Sequence, residues 1–318
     1  MAVDFAYLYK GICGLARSPR ASVFAGHLGA AVIAGYFVGE DQSDLPDGVY
    51  RGIEGELDRI IRGEETIWFN AKKAGITPHE LFDPYPKQSS DRKLIDSIAK
   101  ALAKNIDRTR QSGHNVIFAS IGIRALSDHP QYATPEIVAG ISKLIAGFDN
   151  AVPGRGYLGK EKGWVEGKDA RAAESTQFAP YRSLGDMAET VLKTLIESTS
   201  VRRRGFGGLW HIINHAAGLV ELDHFGYKQL ALSGLPAHHE HIRLWRSLPD
   251  VSSELGLLPK AAHDPRTPAY WHDPLKRDDA RLTHRIKTLY GYFILRRFIA
   301  DREDMLRRAD EAFLHLMA

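Results

Sequence analysis

Apolar residues recur along most of this chain at intervals of three and four, the spacing that lines one face of an α-helix. After Pro46, the residues Val49, Ile53, Leu57, Ile60 and Ile61 fall on one stripe, with Arg51, Glu54, Asp58 and Arg59 away from it, which predicts an amphipathic helix. Ile95, Ile98, Leu102 and Ile106 supply a second stripe, with Ser90 as its cap. Thr134-Pro135-Glu136 joins a capping hydroxyl, a first-turn proline and a carboxylate at the positive end of the helix dipole, so a helix is expected from Thr134 to Phe148. Ser183 and Asp186 resemble a capping box ahead of Met187, Val191, Leu192, Leu195 and Ile196. Ile286, Leu289, Tyr290, Phe293 and Phe298 mark a long helix, and Met305, Leu306, Ala309, Phe313 and Leu316 a last one.

Few stretches alternate with the period of a strand, and no tight Asn-Gly or Asp-Gly turn separates two such runs. The expected fold class is therefore all-α. Its expected form is a stack of antiparallel helix pairs curving into an α/α toroid or barrel, as one domain over residues 1–318.

Two segments read as copies of one another. One opens Gly26-His27, runs apolar through Ala31, Ala34 and Val38, and is followed by the helix at Val49 to Ile61. The other opens Gly113-His114, runs through Phe118, Ile121 and Ala125, and is followed by the helix at Thr134 to Phe148. A looser third copy begins at His211, sharing Asp-His-x-x-Tyr with the second (Asp223-His224-Tyr227 against Asp128-His129-Tyr132). Helix pairs of this kind bury their apolar faces by stacking on neighbours. Stacking would bring the helix-start histidines to equivalent places.

Three stretches rich in Pro and Gly break the helical pattern: Asp83 to Pro86, Pro153 to Pro180, and Leu258 to Asp273. The middle one is long for a structureless connection, so a lid or binding loop is expected at 151–180.

Composition adds limits. The chain of 318 residues is 44% apolar and 25% charged, enough for a large core, and its formal charge of +3 is too small to suggest nucleic acid as partner. Its single cysteine, Cys13, excludes an intramolecular disulfide and a cysteine-based zinc cluster, and fits a reducing cytoplasm. The opening residues lack the pattern of a signal peptide, and the apolar run Ala30 to Val38 is far short of a bilayer span, so neither export nor membrane insertion is expected. The outlier is 14 histidines.

The densest chemistry lies in Trp210-His211-Ile212-Ile213-Asn214-His215-Ala216-Ala217-Gly218. His211 and His215 share a helix face one turn apart, the usual beginning of a metal site, and Ile212 stands where a metalloprotease would carry Glu. The third ligand must come from another helix, with His114 or His27 as candidates. A histidine at a helix N-terminus tends to stay neutral, ready to accept a proton or to ligate a metal.

The expected site thus comprises His27, His114, His211 and His215 as catalytic residues, with His211, His215 and His114 as ligands of a divalent metal, zinc or iron. Arg203, Lys160, Tyr157, Trp164 and Asn214 are assigned to the substrate, because cations and aromatic rings suit a small acidic, partly aromatic molecule. Gly154 to Lys160 has phosphate-loop spacing, but Glu161 replaces the Ser or Thr that would hold magnesium, and no nucleotide cofactor is expected. His238-His239-Glu240-His241 reads as a surface cluster. The expected function is enzymatic, with hydrolase, lyase and oxidoreductase chemistry all open. The rival is a helical-repeat protein that binds a peptide or protein without catalysis.

Overall fold

A computed structural model describes the chain except for Met1, Thr66, residues 174–177 and residues 273–279. Residues 174–177 of the expected lid and Asp273 of the third irregular stretch lie outside the described residues. Among the described residues, the helices of eight residues or more are α1 (Ala6–Arg17), α2 (Gly26–Asp41), α3 (Asp47–Ile61), α4 (Asp96–Ala103), α5 (His114–Asp128) and α6 (Pro135–Ala146). They continue with α7 (Leu184–Glu197), α8 (Gly208–His224), α9 (Leu235–Arg246), α10 (Arg281–Arg296) and α11 (Glu303–Phe313). The fold is all-α, as the spacing of apolar residues requires.

Local signals act mostly where the sequence places them. Ser183 Oγ accepts the Asp186 amide at 3.1 Å and caps α7. Pro135 opens α6, although the Thr134 hydroxyl makes no capping bond. Ser90 is not a cap. Asp91 takes that part, accepting the Lys93 amide at 2.9 Å ahead of a 3-10 turn that leads into α4. A departure from the all-helical reading is a small hairpin of β1 (Arg155–Tyr157) and β2 (Trp164–Glu166), antiparallel with Gly156 opposite Val165.

The chain forms two compact units. The first comprises Met1–Leu102, Phe118–Gly147 and His263–Tyr290; the second comprises Ala103–Ile117, Phe148–Ala262 and Gly291–Ala318.

In the first unit, α1 and α2 meet along a seam of small residues. A β-carbon on Gly29 would stand 2.1 Å from the backbone nitrogen of Leu15, and one on Gly11 would stand 2.7 Å from Ile33. Val3 lies equally close to Gly39. The paired numbers run in opposite directions, so the helices are antiparallel, at a distance only glycine permits. Residues Val23–Asp41 are long and apolar enough to cross a membrane by length and composition, and most of that stretch is buried inside the fold. Two ionic networks tie this unit together. Arg124 holds Asp41 with both terminal nitrogens, donates to the Tyr290 hydroxyl at 3.0 Å and stacks 3.8 Å over Phe37. Buried Glu56 pairs with Arg285 and with Arg59, each at 2.9 Å.

In the second unit, α8 packs against α7 and α9, and α7 against α11. The Tyr292 ring stacks on Phe313 at 3.9 Å while its hydroxyl donates to Asp310 at 2.6 Å. Gly205, at φ +112°, bridges to Gly156 and fastens the β1–β2 hairpin beside the entry to α8.

The α1–α2 seam predicts opposite effects for two glycine substitutions. Gly29→Ala drives a methyl group into backbone atoms and lowers stability by about 1–3 kcal/mol or more. Gly55→Ala, on an open face of α3 with nothing near its absent side chain, raises stability by roughly 0.5–1 kcal/mol. Urea midpoints at unchanged m-value check both.

Candidate functional site

Two helices begin within the second unit in the same unusual way. Before α5, Gln111, Ser112 and Gly113 all have positive φ (42°, 58° and 85°), and at the entry to α8 so do Gly205, Phe206, Gly207 and Gly208 (112°, 39°, 73° and 64°). Such a run is strained for residues with a β-carbon and must be held by its surroundings. Ahead of α5 the hold is visible: the amides of Gln111 and Ser112 donate to the carbonyls of Val152 and Pro153 at 2.7 and 2.9 Å. Glycine is required for space as well. A β-carbon on Gly207 would lie 2.5 Å from the His211 ring, and one on Gly113 would lie 2.6 Å from the His215 ring.

These turns aim carbonyls at two imidazoles. His114 Nδ1 donates to the Gln111 carbonyl, and His211 Nδ1 donates to the Gly207 carbonyl at 2.7 Å. A carbonyl only accepts, so both protons lie on Nδ1 and each neutral ring keeps its lone pair on Nε2. The two Nε2 atoms face each other at 3.1 Å. Both rings are buried, and Phe148 lies parallel to His114 at 6.0 Å between centroids. Lone pairs held face to face repel unless a proton or a cation sits between them.

His215, one turn after His211 on α8, turns elsewhere. His241 Nε2 donates to the Phe206 carbonyl at 2.9 Å, which leaves its Nδ1 free to accept from His215 Nδ1 at 3.3 Å. His215 Nε2 is then a buried acceptor with no partner among the described residues. Beside it, His238 Nε2 donates to the Ile212 carbonyl at 3.1 Å, and its Nδ1 faces the Tyr181 hydroxyl at 3.2 Å. Burial holds all three rings neutral, pushing His238 down to about 3 and His241 to about 4, and His215 well below the ordinary histidine value with help from the surrounding imidazoles.

The expectation of a surface cluster at 238–241 is corrected here: His238 and His241 are wholly buried. Facing inward on α9, they meet α8, while Glu240 stays exposed.

His27 belongs to the first unit, in the first turn of α2. Its ring stacks on Trp68 at 3.7 Å and lies 4.8 Å from the His284 ring. Lys287 Nζ donates to His27 Nδ1, and desolvation lowers that buried ammonium to about 7. Glu65, also buried, accepts the Trp68 indole and the Leu282 amide, each at 2.8 Å. His284 Nδ1 donates to the Ala280 carbonyl at 2.7 Å, repeating the arrangement of His114 and His211. His27, His114 and His211 are all buried, and each has a ring nitrogen able to bind a metal ion.

The expected substrate residues fall in different places of the second unit. Tyr157 and the Lys160 amide bind Glu254, Trp164 is exposed, and Asn214 is buried on α8 against Gly291. Arg203 donates from Nε to the Leu248 carbonyl at 2.9 Å and lies 5.1 Å over the Trp245 ring. The sequence reading places His238 and His241 at the surface and does not single out His284, Lys287, Trp68 or Glu65. The available signal was polar residues inside helices that are buried on every side, as at Thr283 to Thr288.

Compared with known proteins, the chain matches no family model, no curated protein and no solved structure.

The titration of these groups predicts how stability depends on pH. Unfolded histidines bind protons near pH 6.5, whereas folded His238 and His241 resist down to about 3 and 4, so their contribution to stability is fully present above 6.5 and is lost as the pH drops toward 4 and then 3. Each ring adds a slope of up to about 1.4 kcal/mol per pH unit. Lys287 acts with the same sign in a higher window: its unfolded value is 10.5 against about 7 folded, so stability rises with pH between these values. Denaturant midpoints measured from pH 4.5 to 10 check both effects, and Lys287→Met removes the alkaline rise.

Proposed function

We propose that the protein is an enzyme whose buried histidine cluster binds a divalent metal, zinc or ferrous iron, through Nε2 of His114 and Nε2 of His211, and that it acts on a small acidic substrate. One observation carries the reading: two Nε2 lone pairs, fixed by Nδ1–H bonds to backbone carbonyls, face each other at 3.1 Å. Histidine ligands of metals are oriented in this manner, with the second ring nitrogen tied to a carbonyl or carboxylate. The spacing fits too. Two nitrogens, each about 2.1 Å from one ion, stand about 3.0 Å apart at a right angle and about 3.4 Å apart at a tetrahedral one.

The remaining chemistry follows from the neighbours. A divalent ion held there would acidify a bound water or polarise a substrate oxygen. His215 Nε2, buried and with no partner among the described residues, would be the acceptor for the released proton, with His241 steadying the ring from behind. The ring is hard to protonate in isolation, so it would take up a proton only as negative charge develops beside it.

The test is metal content and affinity of the purified chain, read by elemental analysis and by competition with a chromogenic chelator. About one zinc or iron per chain is expected, with affinity reduced at least tenfold in His114→Ala and in His211→Ala, and with melting temperatures recorded for both variants. His27→Ala and His215→Ala in the same titration identify a third ligand. Absence of metal uptake by the wild type, or a folded His211→Ala that binds as tightly, refutes the metal site and leaves the non-catalytic binding protein.

A further inference from the structure

We infer that a cleft of the second unit, beside the first turn of α8, is a binding site for a small aromatic carboxylate. The cleft has a volume of about 170 Å³ and is walled by Leu209, Trp210, Trp245, Leu258 and Leu316, with Arg203 among its lining residues. A closed apolar space of about 150 Å³ takes one benzene ring. The size sets the ligand at a single ring.

One cation makes the cleft selective for an oxyanion. Arg203 spends Nε on the Leu248 carbonyl, and its two terminal nitrogens meet no acceptor among the described residues. Trp245, 3% exposed, lines the cleft with its ring, while its indole N–H is buried out of reach. The guanidinium, 5.1 Å over the Trp245 ring, is pre-oriented by it.

The surrounding charges leave room for an anion. Asp250, the carboxylate that acts on Arg203, is occupied by the Arg202 amide and by Ser252. Arg246, the other charge acting on Arg203, bonds Thr194 and lies 3.8 Å from Glu197. Gly208 and Leu209 at the cleft belong to the first turn of α8, whose positive dipole end favours a negative group. Wide walls of indole and leucine exclude inorganic phosphate as a good fit, since it has no apolar body to bury. The site does not depend on a metal at His114 and His211.

The test is calorimetric titration of the full chain with benzoate, with benzamide as the neutral isostere and inorganic phosphate as the anion without a ring. Benzoate is expected to bind saturably, and at least tenfold more weakly when Arg203→Gln removes the charge-assisted bonds. Arg203→Lys keeps the charge and loses the planar fork, and a severalfold loss is expected. Benzamide and phosphate are each expected to bind at least tenfold more weakly than benzoate. His211→Ala, outside the cleft, leaves benzoate affinity unchanged and separates this site from the metal reading. No saturable benzoate binding, or equal affinity for benzoate and benzamide, overturns the inference. So does a folded Arg203→Gln that binds benzoate like the wild type. Should Arg203→Gln fail to fold, Arg203→Lys and the benzamide comparison decide alone.

Discussion

Two hydrogen bonds from imidazole to backbone fix the proton positions on the buried His114–His211 pair. His114 and His211 each give the Nδ1 proton to a carbonyl in the turn that starts their helix, and each is left with a lone pair on Nε2. Because the two Nε2 atoms meet at 3.1 Å, two neutral rings so placed are in electrostatic conflict, which a positive species between them relieves.

The conflict is maintained by backbone that few sequences can form. Three consecutive residues with positive φ precede α5, and four, Gly205 to Gly208, lead into α8, with glycine where a β-carbon would enter a histidine ring. Conformations of this kind persist only when the rest of the fold over-determines them. Here the β1–β2 hairpin, the strap to Gly205 and the bonds from 111 and 112 to 152 and 153 supply the restraint. The His241–His215 pair uses the same element, since His241 donates to the carbonyl of Phe206, which belongs to the α8 entry turn.

Much of the fold was legible because helical periodicity needs only local information. The stripe on α3 and the signals at Ser183 and Pro135 led to the right helices, with ends displaced by a residue or two. The hairpin was not legible, as strands of three residues are too short to show alternation. For the site, a glycine and then a histidine at a helix start was a readable signal at 113–114, and its physical reason is the left-handed turn. The pairing of His215 with His241, twenty-six positions on, was not readable. Helices buried on all sides, such as α2 and α8, have no polar face by which to assign direction. The same holds for Lys287 on α10, whereas on the half-exposed α9 four polar residues in a row, His238 to His241, hide which of them face inward.

The first unit carries its own buried polar centre, in which His27 meets Lys287 and His284 repeats the carbonyl-anchored geometry of His114 and His211. Both units thus fix buried histidine rings through the backbone, and the account stands on the protonation pattern this imposes. The most direct measurement is long-range nitrogen–proton correlation NMR of the histidine rings in labelled protein, with and without added zinc. The account predicts Nδ1-protonated rings for His114 and His211, with their Nε2 resonances moving on zinc addition. A proton resident on Nε2 of either ring, unmoved by zinc, would contradict it.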